Sequence, residues 1–231
     1  MHIPDGYLGP QTYAATYAAI GPLWYLALRK VQEELPKKHL GLMAVGSAFS
    51  FALMMFDIPV PIVGSGHMVG GALLGILLGP WAAMVSISTA LAIQAFVFGD
   101  GGVMALAANC FALAFLMPFS AFYIFRFLSG ENSRLRLHKY IGAFLAGYIG
   151  LSLASLFQGV LIGIQPLIAT SGGQPLYAPY PLHVVIPLVA GANLLFFGAV
   201  EGILTALILR QLQKSGWRVR TLANRPVSPP S

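Results

Sequence analysis

The run ALAANCFALAFLMPFSAFYIF, residues 105–125, holds 21 residues without one charged side chain, and this constrains the chain more than any other feature. A hydrocarbon core of about 30 Å takes roughly 20 apolar residues to cross as a helix. Water-soluble domains carry about a quarter charged residues, whereas the share here is 9%. The chain reads as an all-α, polytopic membrane protein. A transmembrane β-barrel would show short alternating segments instead, and the sequence has none.

Apolar runs broken at Gly, Pro and charged residues give seven candidate transmembrane helices, at about 11–28, 40–56, 68–79, 81–98, 103–125, 140–165 and 184–209. The third, around HMVGGALLGILLGP, is too short to span alone and is expected to be thin, tilted or partly re-entrant, covered by its neighbours. With the amino terminus outside, seven crossings leave the carboxyl terminus in the cytoplasm. Arg29, Lys30, Lys37 and Lys38 then share one inner loop, Arg126, Arg134, Arg136 and Lys139 another, and Arg210, Lys214, Arg218, Arg220 and Arg225 the tail. All thirteen Lys and Arg are then cytoplasmic, as the positive-inside rule requires. The net charge of +6 follows from orientation in a lipid bilayer, and no nucleic-acid partner is needed to explain it. Residues 1–211 are expected to form one transmembrane domain that includes the amino-terminal segment, and 212–231 a basic, disordered cytoplasmic tail.

MHIPDG has neither a basic n-region nor an apolar h-region, so no cleaved signal peptide is expected and Met1 is expected to remain. Cys110 is the sole cysteine, in an apolar run. That excludes an intrachain disulfide or a multi-thiolate metal site and suits packing.

The same orientation gathers MHIPDG, DIPVPIVGSGH, GDGG and TSGGQPLYAPYPLH on the outer face. Asp5, Asp57 and Asp100 stand there without a cation to balance them, which suits a surface that admits one. Asp57 is equally suited to a turn. A terminal amine followed by His2 offers three nitrogens in a row: the Met1 amine, the His2 amide and His2 Nδ1. Amine and amide close a five-membered chelate ring, amide and Nδ1 a six-membered one, and one equatorial position stays open. His67, in GSGHMVGG at the same face, could fill it. Four nitrogens in a plane favour Ni(II) or Cu(II) over tetrahedral Zn(II). Because the amide must lose its proton, binding should weaken in acid. Pro4 keeps His2-Ile3 out of helical geometry and Gly6 lets the segment turn back. Read alone, MH also fits an ordinary loose terminus.

His39 and His138 read as solvated or headgroup-contacting side chains, and His183 as either an outer helper of the metal site or an interfacial residue. Gln94 and Asn109 flank the GDGG turn and could fix the tautomer of a ligating imidazole or simply join helices. Glu201, in GAVEGILTAL, is either a buried hydrogen-bonder or part of a coupling or release step.

MHIPDGYLGP, GHMVGGALLGILLGPWAA and QAFVFGDGG together resemble the NikM/CbiM family, the nickel/cobalt-specific substrate-binding (S) components of energy-coupling-factor importers. The resemblance runs to about residue 211. It implies a seven-helix protein of the prokaryotic cell (inner) membrane that presents metal through Met1, His2 and His67. It also implies a non-catalytic subunit without an organic cofactor, working beside a transmembrane coupling (T) protein and cytoplasmic ATPase subunits. Ni(II) is the expected cargo and Co(II) the alternative. Small-residue pairs of the kind such proteins turn toward the coupling protein occur as Ala44/Ala48, Ala14/Ala18 and Ala15/Ala19, although the spacing also serves packing within a bundle. The chain departs from the family after Asn109, where NCFALAFLMPFSAF lacks a second Asn. No fused accessory domain is expected, so a small accessory membrane subunit would be a separate chain. The alternatives are a self-sufficient divalent-metal channel or secondary transporter, with Glu201, Gln94 and Asn109 as a thin polar path, and an intramembrane hydrolase. The hydrolase fares worst because the histidines lie near helix ends.

Overall fold

The computed structural model describes residues 2–34, 40–60, 64–129 and 136–215. Met1, Lys37, Lys38, His39, Arg134 and the tail from 216 lie outside them. Among the described residues seven helical segments occur in chain order: α1 (Pro10–Glu34), α2 (Leu40–Met54), α3 (Gly71–Leu78), α4 (Pro80–Phe98), α5 (Leu106–Ser129), α6 (Leu137–Ile168) and α7 (Leu182–Lys214). The last four are long and apolar enough to cross a membrane, so the chain is a mostly helical membrane protein. α1 runs past its apolar stretch to Glu34, and Arg29 pairs with Glu33 one turn later on its exposed face.

At about 1.5 Å of rise per residue, the eight residues of α3 reach less than half-way across a bilayer. Seven of its residues are buried, and it packs against α4, α5 and α6. Its backbone is therefore covered by protein rather than lipid, as a short segment at that depth requires. Gly79, left-handed at φ 85°, ends α3, and Pro80 opens α4 with its φ already helical.

α6 packs against α5 and α7. A Cβ on Gly147 of α6 would come within 2.8 Å of Gly202 Cα on α7, so the two backbones touch there. The core beneath is rich in small side chains: Ala107, Cys110, Ala112 and Ala114 of α5 are fully buried. Small residues let helices approach closely where water cannot drive them together.

Three helices widen into π turns, at Gln94–Phe98, Cys110–Leu116 and Asn193–Phe197. Such turns carry one extra residue and rotate the side chains beyond them, often at functional sites. Two short hairpins occur among the described residues. β1 (Ile58–Val60) pairs antiparallel with β2 (Gly64–Gly66), with Ile58 opposite Gly66, and β3 (Thr170–Ser171) pairs with β4 (Gln174–Pro175). β2 delivers the chain directly to His67.

Candidate metal centre

Residues 2–9 precede α1 and are laid into the protein, with His2, Ile3 and Leu8 buried. Buried main chain needs partners for its N–H and C=O groups, and these come from distant side chains. Ile3 N–H donates to Asn109 Oδ1 at 2.9 Å, while Asn109 Nδ2 donates back to Ile3 O at 3.1 Å. Gln158 Nε2 donates to the same Oδ1 at 3.2 Å and so fixes which way the Asn109 amide faces. Gly102 N–H also donates to Ile3 O, and Gly9 N–H donates to Gln165 Oε1 at 2.8 Å.

Asp5 closes the segment from the other side. Its carboxylate accepts the N–H groups of Val103, Met104 and Ala105 at 3.0, 2.9 and 3.3 Å. A Cβ on Gly102 would collide with that carboxylate and with the Asp5 main-chain nitrogen, so only glycine fits beside it. The Asp5 charge is thus engaged with main-chain donors at the start of α5. Asp57 stays exposed after α2.

The inlay sets the His2 ring against that of His67, with centroids 4.5 Å apart and planes tilted by 41°. His2 is 5% exposed and His67 1%. His67 Nδ1 lies 3.1 Å from Met68 O, which must accept a hydrogen, so the proton sits on Nδ1 and Nε2 carries a lone pair. His2 Nδ1 lies 3.0 Å from Asp100 Oδ1, which leaves its Nε2 in the same state. Neither Nε2 has a hydrogen-bond partner among the described residues. Burial, opposed by the Asp100 hydrogen bond, lowers the His2 pKa. Burial and the neighbouring His2 hold that of His67 well below the usual 6.5. The His2 hydrogen bond in turn lowers the pKa of Asp100. Two neutral imidazoles facing each other offer lone pairs, the form in which histidine binds metal.

The chelate expected from the sequence uses Nδ1 of His2, and here that atom faces Asp100. Half a turn about Cβ–Cγ exchanges its position with Cδ2, so loading through Nδ1 requires the Asp100 bond to be given up. Asp100 is itself held: its N–H donates to Gln94 O at 3.0 Å, and Gln94 Nε2 reaches its Oδ2 at 3.5 Å. Gln94 opens the π turn at Gln94–Phe98.

Among the other residues singled out from the sequence, Asn109 holds the Ile3 main chain rather than an imidazole. His183 is exposed in the first turn of α7 and takes no part in the cluster's hydrogen bonds. Ala44 and Ala48 are exposed on α2, beside Val45. Met1 lies outside the described residues, and among those described no three His, Cys, Asp or Glu side chains converge as a metal cage. Sequence reading missed Gln158 and Gln165, whose partners lie up to 156 residues away. Their one signal was an amide at depth in an apolar run.

The sequence matches the family described as the cobalt uptake substrate-specific transmembrane region over residues 2–219. It is 43% identical over 230 residues to a fused nickel transport protein of Rhodobacter capsulatus, covering 99% of this chain but only 66% of that one. A putative metal transport protein of Methanocaldococcus jannaschii is 40% identical over 215 residues, covering 93% of this chain and 92% of its own. The crystal structure of a truncated transition metal transporter superposes with a TM-score of 0.88 at 43% identity, over 93% of this chain and 99% of that one. The chain belongs to the CbiM family of substrate-specific transmembrane regions.

Proposed function

We propose that this chain is the substrate-binding membrane component of an ATP-driven energy-coupling-factor importer. It captures Ni(II), with Co(II) as the alternative, through the Met1 amine, the His2 amide and imidazole, and the His67 imidazole. The observation that carries the reading is the buried His2–His67 pair, with His67 Nε2 open and His2 Nδ1 reaching the site once its Asp100 bond is given up, at a terminal segment bonded in place by its main chain. Main-chain ligands are useful only when the main chain is fixed, and Asn109, Gly102 and Asp5 fix it. Four nitrogens in one plane favour nickel on geometry. Relatives named as nickel transport and metal transport proteins agree with a transporter rather than an enzyme.

In this reading residues 1–211 form the metal-binding membrane domain and the basic tail from 212 lies in the cytoplasm. The membrane is the prokaryotic inner membrane and the terminal segment faces outward, as the positive-inside rule orients the thirteen basic residues. A coupling protein and ATPase subunits supply the energy, with the exposed Ala44/Ala48 face of α2 turned to the coupling protein, and a small accessory membrane subunit completes the importer. A self-sufficient channel would take Gln94, Asn109 and Glu201 as its path. Each of these instead bonds a neighbouring loop or the terminal segment, which favours capture over conduction.

Absorption spectra of the purified chain during Ni(II) titration test the proposal. A yellow low-spin species that saturates at one equivalent and weakens in His67→Ala is expected. One residue added ahead of Met1 moves the amine out of the chelate and should weaken binding by about two orders of magnitude, roughly 3 kcal/mol. Native affinity in that variant would sink the terminal chelate.

A further inference from the structure

The main chain just after His67 is held by two helices at once. Val69 N–H donates to Glu201 Oε2 at 2.9 Å and Gly70 N–H donates to the same oxygen at 3.1 Å. From the other side Ser50 O–H donates to Val69 O at 2.8 Å. Glu201 belongs to α7 and Ser50 to α2, and both are fully buried. One residue separates Val69 from His67, so these bonds act on the metal site from just behind the imidazole. Before His67, a Cβ on Gly66 would run into the Phe197 ring, so α7 also bounds the loop there. Gly70 is left-handed at φ 72°, which turns the chain into α3 directly after the two bonded peptides.

An ionisable side chain at membrane depth is expensive and is kept where it acts. Ordinary helix packing would be served by an apolar residue at this position. Here one oxygen of the carboxylate accepts from both peptide N–H groups that lie between Met68 and α3.

We propose that Glu201, together with Ser50, is a positioning residue for the metal site: a clamp on the Val69 peptide that holds His67 Nε2 toward His2. The inference rests on His67 being a ligand, and it adds two residues on separate helices that never touch the metal.

The test is Ni(II) titration of the full purified chain, read by visible spectrum and affinity, for the native protein, His67→Ala, Glu201→Gln, Glu201→Met and Ser50→Ala. A Gln carbonyl can accept both N–H groups, so Glu201→Gln should stay within about threefold of native affinity. Glu201→Met fills similar volume without an acceptor. It should bind roughly tenfold or more weakly, as loss of two buried hydrogen bonds implies, and its spectrum should move to that of His67→Ala. Ser50→Ala should move the same way by a smaller amount, about threefold. If Glu201→Met does not fold, Ser50→Ala decides: a shift supports the clamp and a native spectrum overturns it.

A folded Glu201→Met with native spectrum and affinity overturns the clamp while leaving the metal-site reading intact. So does loss of all metal binding where His67→Ala still binds, or a Gln variant that behaves like Met, which would assign the effect to charge. A spectrum indifferent to His67→Ala overturns the parent reading and the clamp together.

Discussion

Two imidazoles packed ring against ring in a buried corner stay compatible only while neither takes a proton. Burial is the main cause that lowers both pKa values. The unfolded chain then binds protons near 6.5, where the folded chain does not, and stability rises with pH. The unfolding midpoint of the metal-free protein should therefore fall as pH drops from 6.5 toward about 5, and His67→Ala should flatten that slope. Thermal melts across this range check it; equal slopes would contradict it. At Asn109 the expectation is a loss of affinity, because Asn109→Ala leaves the buried Ile3 N–H without its partner and Ile3 O with one fewer, about 1–3 kcal/mol in all. Nickel binding ten- to a hundredfold weaker in a still-folded variant is the result that counts. His2 and His67 could be singled out because their chemistry is written in residue type and position. The task of Asn109 could not, because its partner is a main-chain group 106 residues away, and no side-chain pattern records that.

Among the elements, the α6–α7 crossing tolerates little added bulk. A Cβ on Gly202 would lie 2.6 Å from Phe144 O, which is main chain and cannot swing aside. Gly202→Ala should destabilise the fold by about 1–3 kcal/mol, as overpacking does, and the shift should appear as a lower melting midpoint in detergent. Glu201 is the preceding residue, so the same variant should also disturb nickel binding. The seven segments were legible because apolar runs and their Gly and Pro breaks carry length information directly, and α3 was rightly expected to be short. The hairpin leading to His67 left no such trace, since IPV and GSG lack the alternation that marks a strand. The π turns were equally hidden: one extra residue in an all-apolar run changes no periodicity that sequence can display.

For the molecule as a whole, the inferred orientation makes a direct prediction. In a Cys110→Ala background, cysteine placed at Asp57 should react with a membrane-impermeant thiol reagent on intact cells. Cysteine placed at Gln213, near the end of α7, should react only after permeabilisation. The reverse pattern would overturn the assigned topology. The terminal segment has a further consequence, one of timing. Gly9 waits for Gln165, 156 residues later, which at 5–20 residues per second is a delay of roughly 8 to 30 s during synthesis. This segment is thus seated only well after it has been made. Until α6 exists, Gly9 lacks the Gln165 amide and Asn109 lacks Gln158, so a nascent chain has no finished site in which to trap a metal ion.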